Sequence, residues 1–180
     1  MRLRLSILCG TLFAAAALAA GAATIIDAPA RAMRELRRHL TACALPGLRC
    51  APPDVFLHQR EIGPPPVPAL GRPDPMTLVS SAWVDLSGSP ARIDIPATGD
   101  RFFTVQIIDG RNDTVALADA ASIGRDGARL TLAEPSAARE SDKAVHAKGW
   151  VWIVARFAVA DEADVAGVHE LQNALRISRQ

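Results

Sequence analysis

The sequence predicts a mainly β protein: an antiparallel sandwich or jelly-roll-like domain with a C-terminal helix and a short N-terminal helix. Three observations carry that expectation. The stretch from Thr77 to Asp109 holds short apolar runs separated by Ser87-Gly88-Ser89-Pro90 and by Thr98-Gly99-Asp100, the punctuation of consecutive strands joined by tight turns. Within those runs apolar and polar residues alternate, Ile93 and Ile95 with Arg92 and Asp94, and Phe103, Val105 and Ile107 with Phe102, Thr104 and Gln106. The run Gly149 to Val159 is apolar on both faces and reads as a central strand covered from two sides.

The length of 180 residues accommodates one domain with appendages, and 49% apolar with 22% charged residues is ordinary for a globular chain. Only 4% is aromatic, so the core is expected to rely on Val, Ile, Leu and Ala. The chain divides into a leader over 1–23, an N-terminal segment over 24–62, a proline-rich linker over 63–75 and the β domain over 76–180.

In the leader, Arg2 and Arg4 precede an apolar run that ends in small residues near Ala20 to Ala23, the pattern of a cleaved secretory signal. The run from Leu5 to Ile26 is also long enough to span a bilayer, and Arg31, Arg34, Arg37 and Arg38 behind it oppose translocation of the downstream chain. The expected location is therefore the periplasm, reached by an N-terminal signal, with an inner-membrane anchor as the alternative. Residues 27–41 predict a short helix, with Asp27 as cap, Pro29 in the first turn, and Met33, Leu36 and Leu40 on one face. Its arginine face suits either solvent or anionic headgroups, and membrane contact is expected only through this N-terminal segment. His39 is placed to complement the helix dipole. Export predicts that Cys43 and Cys50 pair across the intervening Pro-Gly turn, whereas a cytosolic chain would leave them as thiols. His58 reads as a surface residue, and Pro64-Pro65-Pro66 imposes an extended spacer or strap.

In the β domain, Leu78, Ala82, Val84 and Leu86 lie on one strand face with Val79 and Trp83 on the other, so both faces are expected to be covered. Val115 and Leu117 continue the alternation weakly, and Asp126-Gly127 between Ile123 and Leu130 predicts a hairpin turn. Pro135 to Lys148, which contains His146, reads as an exposed loop or short helix. Asp161 caps a final helix with Asp164 in its first turn, with Val165, Val168, Leu171 and Leu175 on one face and His169 and Glu170 in solvent.

Two blocks carry a family resemblance. Thr77-Leu78, Ser80 to Leu86, Gly99 to Phe103, Gln106 and Asp109 form the first; Trp152 to Arg156, Asp164 and Leu171-Gln172 form the second. In that order and with that turn chemistry they resemble the bacterial family known as domain of unknown function 1254, over residues of about 73 to 178. Departures are visible: Asp74, Met76 and Val79 stand where relatives carry Asn, Asp and Tyr, and Phe102-Phe103 replaces a usual Tyr pair in a chain without tyrosine. The resemblance implies a companion β-rich domain (domain of unknown function 1214), for which this chain has no room, so a separately encoded companion is the expected partner. The lost polar positions imply binding rather than catalysis.

The residues themselves leave two functional classes open. The first is a non-enzymatic envelope module binding a partner protein or a small apolar ligand, with Trp83, Gln106 and Arg156 as candidate ligand-binding residues. The second is a small hydrolase or lyase in which Asp85 or Asp109 serves as general base beside Arg101 as anion clamp. The same carboxylates and guanidiniums serve equally as structural ion pairs fastening turns to strands. An arginine inside an apolar run, such as Arg156, must meet a partner or reach solvent. No nucleophile elbow, phosphate loop, dinucleotide fingerprint or zinc spacing is present, so neither cofactor nor metal is expected. A net charge of +1 gives no drive toward nucleic acid.

Overall fold

Period-two alternation becomes strand almost wherever the sequence offers it. The computed structural model describes residues 27–43, 49–63, 76–136 and 144–180; the leader, the proline linker beyond Gly63 and part of the loop between the two cysteines lie outside them. In chain order the elements are helix α1 (Ala28–Ala42), β1 (Leu57–His58), β2 (Thr77–Asp85), β3 (Ala91–Ile95), β4 (Phe103–Asp109) and β5 (Thr114–Asp119). A single helical turn, α2 (Ala120–Ile123), comes next, then β6 (Ala128–Ala133), β7 (Ala144–His146), β8 (Trp150–Ala158), a 3-10 turn (Glu162–Asp164), α3 (Val165–Ala174) and β9 (Arg176–Arg179).

The strands form two sheets, one ordered β1-β2-β8-β4-β5 and one ordered β7-β6-β3-β9. All pairings are antiparallel except β6 with β7, which is parallel. The apolar run predicted to be central is central: β8 is hydrogen-bonded to β2 on one side and β4 on the other. Its Val151, Ile153, Ala155 and Phe157 face the second sheet and share one core with Phe103 and Val105 of β4, Ile93 of β3 and Leu132 of β6. Side chains of this size contribute about 1.5–3 kcal/mol each when fully buried, so this layer holds most of the stability.

The opposite face of the five-stranded sheet is roofed in part by α1. Met33 and Leu40 are buried there in a second cluster with Val79, Trp83, Ile108, Trp152 and Val154, while Leu36 packs at its edge. The stripe expected on the helix is thus the one that docks. Asp27 does not cap it; its carboxylate accepts from Arg31 and Arg34 at 3.1 and 3.3 Å, in reach of two guanidiniums one and two turns along. Cys43 and Cys50 form the expected disulfide at the end of α1, with Cα atoms 5.2 Å apart.

Several local expectations are corrected by tertiary structure. Asp126-Gly127 is not a hairpin turn: β5 ends in one sheet, α2 turns the chain, and β6 begins in the other. Gly127 is needed there for two reasons, a φ of +90° and a backbone approach that would put a Cβ 2.9 Å from the Ile95 carbonyl oxygen. Residues 144–146 are a strand rather than loop or helix, because the edge of β6 supplies their hydrogen bonds. The chain does not close on its last helix, since β9 comes after it and pairs with β3. In β5 it is Ala116 and Ala118 that turn inward, because they lie opposite the core residues Ile107 and Val105, while Leu117 lies opposite Gln106 and is exposed; Val115 is an extra residue opposite Ile107 and Ile108.

Guanidiniums fasten the open ends of the sandwich. Arg179 forks onto both carboxylate oxygens of Asp54 at 2.9 and 2.7 Å and also donates to the carbonyls of Asp85 and Ser89, tying the last strand to the β2–β3 turn. Asp161 caps the final helical segment as expected, accepting from the backbone of Ala163 and Asp164. Replacement of Gly127 by Ala is expected to lower stability by about 1–3 kcal/mol in urea unfolding, since both the positive φ and the backbone contact oppose a side chain; Gly88→Ala, with nothing near its Cβ position, is the matched control and should change little.

Candidate functional site

The outer face of the five-stranded sheet is where sequence candidates and structure meet. Strand alternation puts Trp83 of β2, Trp152, Val154 and Arg156 of β8, and Thr104, Gln106 and Ile108 of β4 on this face, opposite the core residues between them. In register, Trp83 lies beside Trp152 and Trp152 beside Ile108. Helix α1 crosses that row: Met33 and Leu36 lie near Trp152, and Leu40 lies near Trp83 and Leu57. The face is therefore divided into a roofed half and an open half.

In the roofed half the indoles of Trp83 and Trp152 stack with centroids 5.6 Å apart and planes 7° from parallel. Trp150 lies at the margin, and the Arg37 guanidinium of α1 stands 4.2 Å above its ring, a cation–π contact.

The open half begins at Arg156. This residue pairs in register with Val79 and Thr104, and Gln106 lies between Val154 and Leu117. The Gln106 amide donates to the Thr114 hydroxyl at 2.8 Å across the β5 irregularity. Phe102 extends the ladder by accepting from the Ala158 amide, and its ring, opposite in sense to the buried Phe103, is 63% exposed; Leu117 is 57% exposed. Among the described residues Arg156 has no carboxylate within ion-pairing distance, and it is half-buried rather than extended into solvent.

Asp85, Asp109 and Arg101 do not converge. Asp85 ends β2 and Asp109 ends β4, at the same end of the sheet but with β8 between them, roughly 10 Å apart. Each carboxylate is engaged in its own turn: Asp85 accepts from the amide and hydroxyl of Ser87, and Asp109 from the amides of Arg111 and Asp113. Arg101 precedes the other end of β4, about 25 Å away along the strand. Its guanidinium grips both oxygens of Asp164 at 2.5 and 2.6 Å and donates to the Ala158 carbonyl. Hydrogen bonds from the Arg101 guanidinium, and then from the Ala160 amide, hold the Asp164 carboxyl far below the usual carboxylate range.

A second polar cluster lies at the β1 edge, where sequence reasoning had placed solvent. His58 is half-buried, its Nδ1 2.8 Å from the hydroxyl of the fully buried Ser80. His169 is engaged too, its Nε2 2.7 Å from the Arg60 carbonyl. Arg60 donates to the His169 carbonyl and to the side chains of Gln172 and Asn173, while the buried Gln172 amide donates to the carbonyls of Gln59 and Val79. Burial first, then the positive groups of Arg60, Arg176 and His169, pushes His58 down to about 4. These groups pin α3 to β1, a structural role.

Trp152, Phe102 and Leu117 were not among the site candidates that the sequence offered. The usable signal for Trp152 was its two-residue spacing from Trp150, which puts both rings on one face. Among the described residues no helix is long and apolar enough to cross a membrane, and no cluster of metal-ligating side chains occurs.

The family profile described as a protein of unknown function (DUF1254) matches residues 53–179. No curated protein matches the chain. Among solved structures, the VPA0106 protein of Vibrio parahaemolyticus is similar at 17% identity and a TM-score of 0.52, over 59% of this chain and 28% of that one. A putative uncharacterized protein from Burkholderia cenocepacia is similar at 14% identity and a TM-score of 0.49, over 88% of this chain and 42% of that one. The chain thus aligns with less than half the length of either.

Arg101→Ala and Asp164→Ala are each expected to destabilise by about 2 kcal/mol, from loss of a forked charge-assisted pair, and the double variant by much less than the sum in urea titrations. His58 supplies a separate pH dependence. The unfolded chain binds a proton at His58 near pH 6.5 and the folded chain only near 4, so stability falls as pH drops through that window. The loss should reach on the order of 1–2 kcal/mol after allowance for solvent at the ring, and His58→Gln should flatten it in urea titrations at pH 7 and 4.5.

Proposed function

The chain belongs to the DUF1254 family of proteins of unknown function, and from that premise we propose that it is a non-enzymatic β module of the bacterial envelope that docks a partner protein on the open half of its outer sheet face. The observation that carries this reading is the grouping of Phe102, at 63% exposure, and Leu117, at 57%, with the Arg156 guanidinium that lacks a carboxylate partner among the described residues. Exposed aromatic and aliphatic anchors around an arginine are the chemistry of interface hot spots. Gln106 adds an amide between them.

The partner of this reading is a separately encoded companion β domain of the domain of unknown function 1214 type. In its support, the similar Vibrio parahaemolyticus structure extends well beyond the part this chain matches. The location that goes with it is the periplasm, reached through the N-terminal signal, with an inner-membrane anchor as the alternative. The Cys43–Cys50 disulfide supports an oxidising compartment. A hydrolase or lyase built on Asp85, Asp109 and Arg101 draws no support from side chains held in separate turns and at opposite strand ends.

Co-expression of the chain with the companion domain, followed by native mass spectrometry, should give a one-to-one complex. Phe102→Asp and Leu117→Asp should each abolish it with the thermal midpoint of the free chain unchanged, and Arg156→Ala should weaken it at least about tenfold, equivalent to about 1.4 kcal/mol. A monomer only, or a complex indifferent to the two aspartates, overturns the reading.

A further inference from the structure

All three tryptophans of the chain, Trp83, Trp150 and Trp152, lie on the same sheet face. Trp83 and Trp152 are each only 4% exposed, and the Nε1–H of each is buried with no hydrogen-bond partner among the described residues. An indole nitrogen only donates, so each of these groups calls for an acceptor that the surrounding Met33, Leu40, Val79, Ile108 and Val154 do not provide. Two adjacent unmet donors in one apolar layer are unusual, because buried polar groups are nearly always paired.

The roof above them is lightly held. Among the described residues the side-chain hydrogen bonds of α1 run within the helix and its Asp27 cap position, from Arg31 and Arg34 to Asp27, among Glu35, Arg38 and His39, and from Thr41 to the Arg37 carbonyl. Its attachment to the sheet is apolar packing and the Arg37–Trp150 contact. The covalent and backbone ties, the Cys43–Cys50 disulfide and the Ala51 amide bonded to the Leu40 carbonyl, are both at its C-terminal end. At the other end a groove of about 320 Å³ already opens between helix and sheet, lined by Pro29, Ala32, Met33, Leu36, Asn112 and Trp152. That volume is at the lower end of what small-molecule sites have.

We propose that the tryptophan platform beneath α1 is a binding site for a flat apolar ring compound bearing a carboxylate, entered by lifting α1 from its N-terminal end. The unmet N–H groups offer donors to the carboxylate oxygens, the apolar cluster around them accepts the ring, and the Arg37 guanidinium over Trp150 adds positive charge at the margin of the platform. This site is separate from the partner-docking surface, which uses the other half of the face.

The test uses 2-naphthoate with protein labelled with nitrogen-15 at its indoles. Saturable titration should move the Nε1–H resonances of Trp83 and Trp152 downfield, with Trp150 moving less. Trp83→Phe and Trp152→Phe keep a ring in place and remove one donor; each should weaken naphthoate at least about fivefold in protein that still unfolds in one cooperative transition. In the unaltered protein, 2-methylnaphthalene, which lacks the carboxylate, should bind more weakly by a similar factor. No saturable shift up to millimolar naphthoate, or equal affinity for naphthoate and methylnaphthalene, overturns the proposal, as does binding untouched by both phenylalanine variants.

Discussion

The structure depends on one strand that is apolar on both faces. Val151 to Ala155 of β8 are all buried, so a single sheet-on-sheet layer cannot satisfy it, and a second cover is required on the far side. The four-stranded sheet supplies the first cover and α1 the second. The two covers differ in size. A nine-residue strand runs roughly 30 Å, whereas a helix crossing it is about 10–12 Å wide, so α1 shields one stretch of the outer face and leaves another bare. That mismatch creates both halves of the candidate site.

Charged groups are arranged around the same constraint. Where the sandwich ends, guanidiniums close it by gripping carboxylates and carbonyls from distant parts of the chain, Arg101 with Asp164 and Arg179 with Asp54. Such forked pairs orient two elements at once, which a single lysine contact does not. Arg156 breaks the pattern. It occupies a strand interior rather than an end, and the half-roofed face gives it partial access to water, with no carboxylate partner among the described residues.

Much of the fold was legible locally. Alternation gave β2, β3, β4 and β8 their faces, and the double-sided apolar run marked β8 as central. Asp161 announced its cap, and the two cysteines their bridge. The elements that escaped lacked a local signature. Residues 144–146 and 176–179 are strands because β6 and β3 present edges to them, and neither segment is long or regular enough to declare itself. His169 reads as surface because its partner, the Arg60 carbonyl, lies 109 positions away in the chain, and His58 because its partner Ser80 reaches it only across the β1–β2 pairing, 22 positions on.

The sequence by itself determined the class of the protein and the two-sided burial of its central strand, because those come from side-chain period and residue chemistry over a few neighbours. Tertiary structure alone decided the rest. It separated Arg101 from Asp85 and Asp109, since a strand's length keeps its two ends apart whatever chemistry they share, and it joined Trp83 to Trp152, since register across a hydrogen-bonded ladder makes neighbours of residues far apart in the chain.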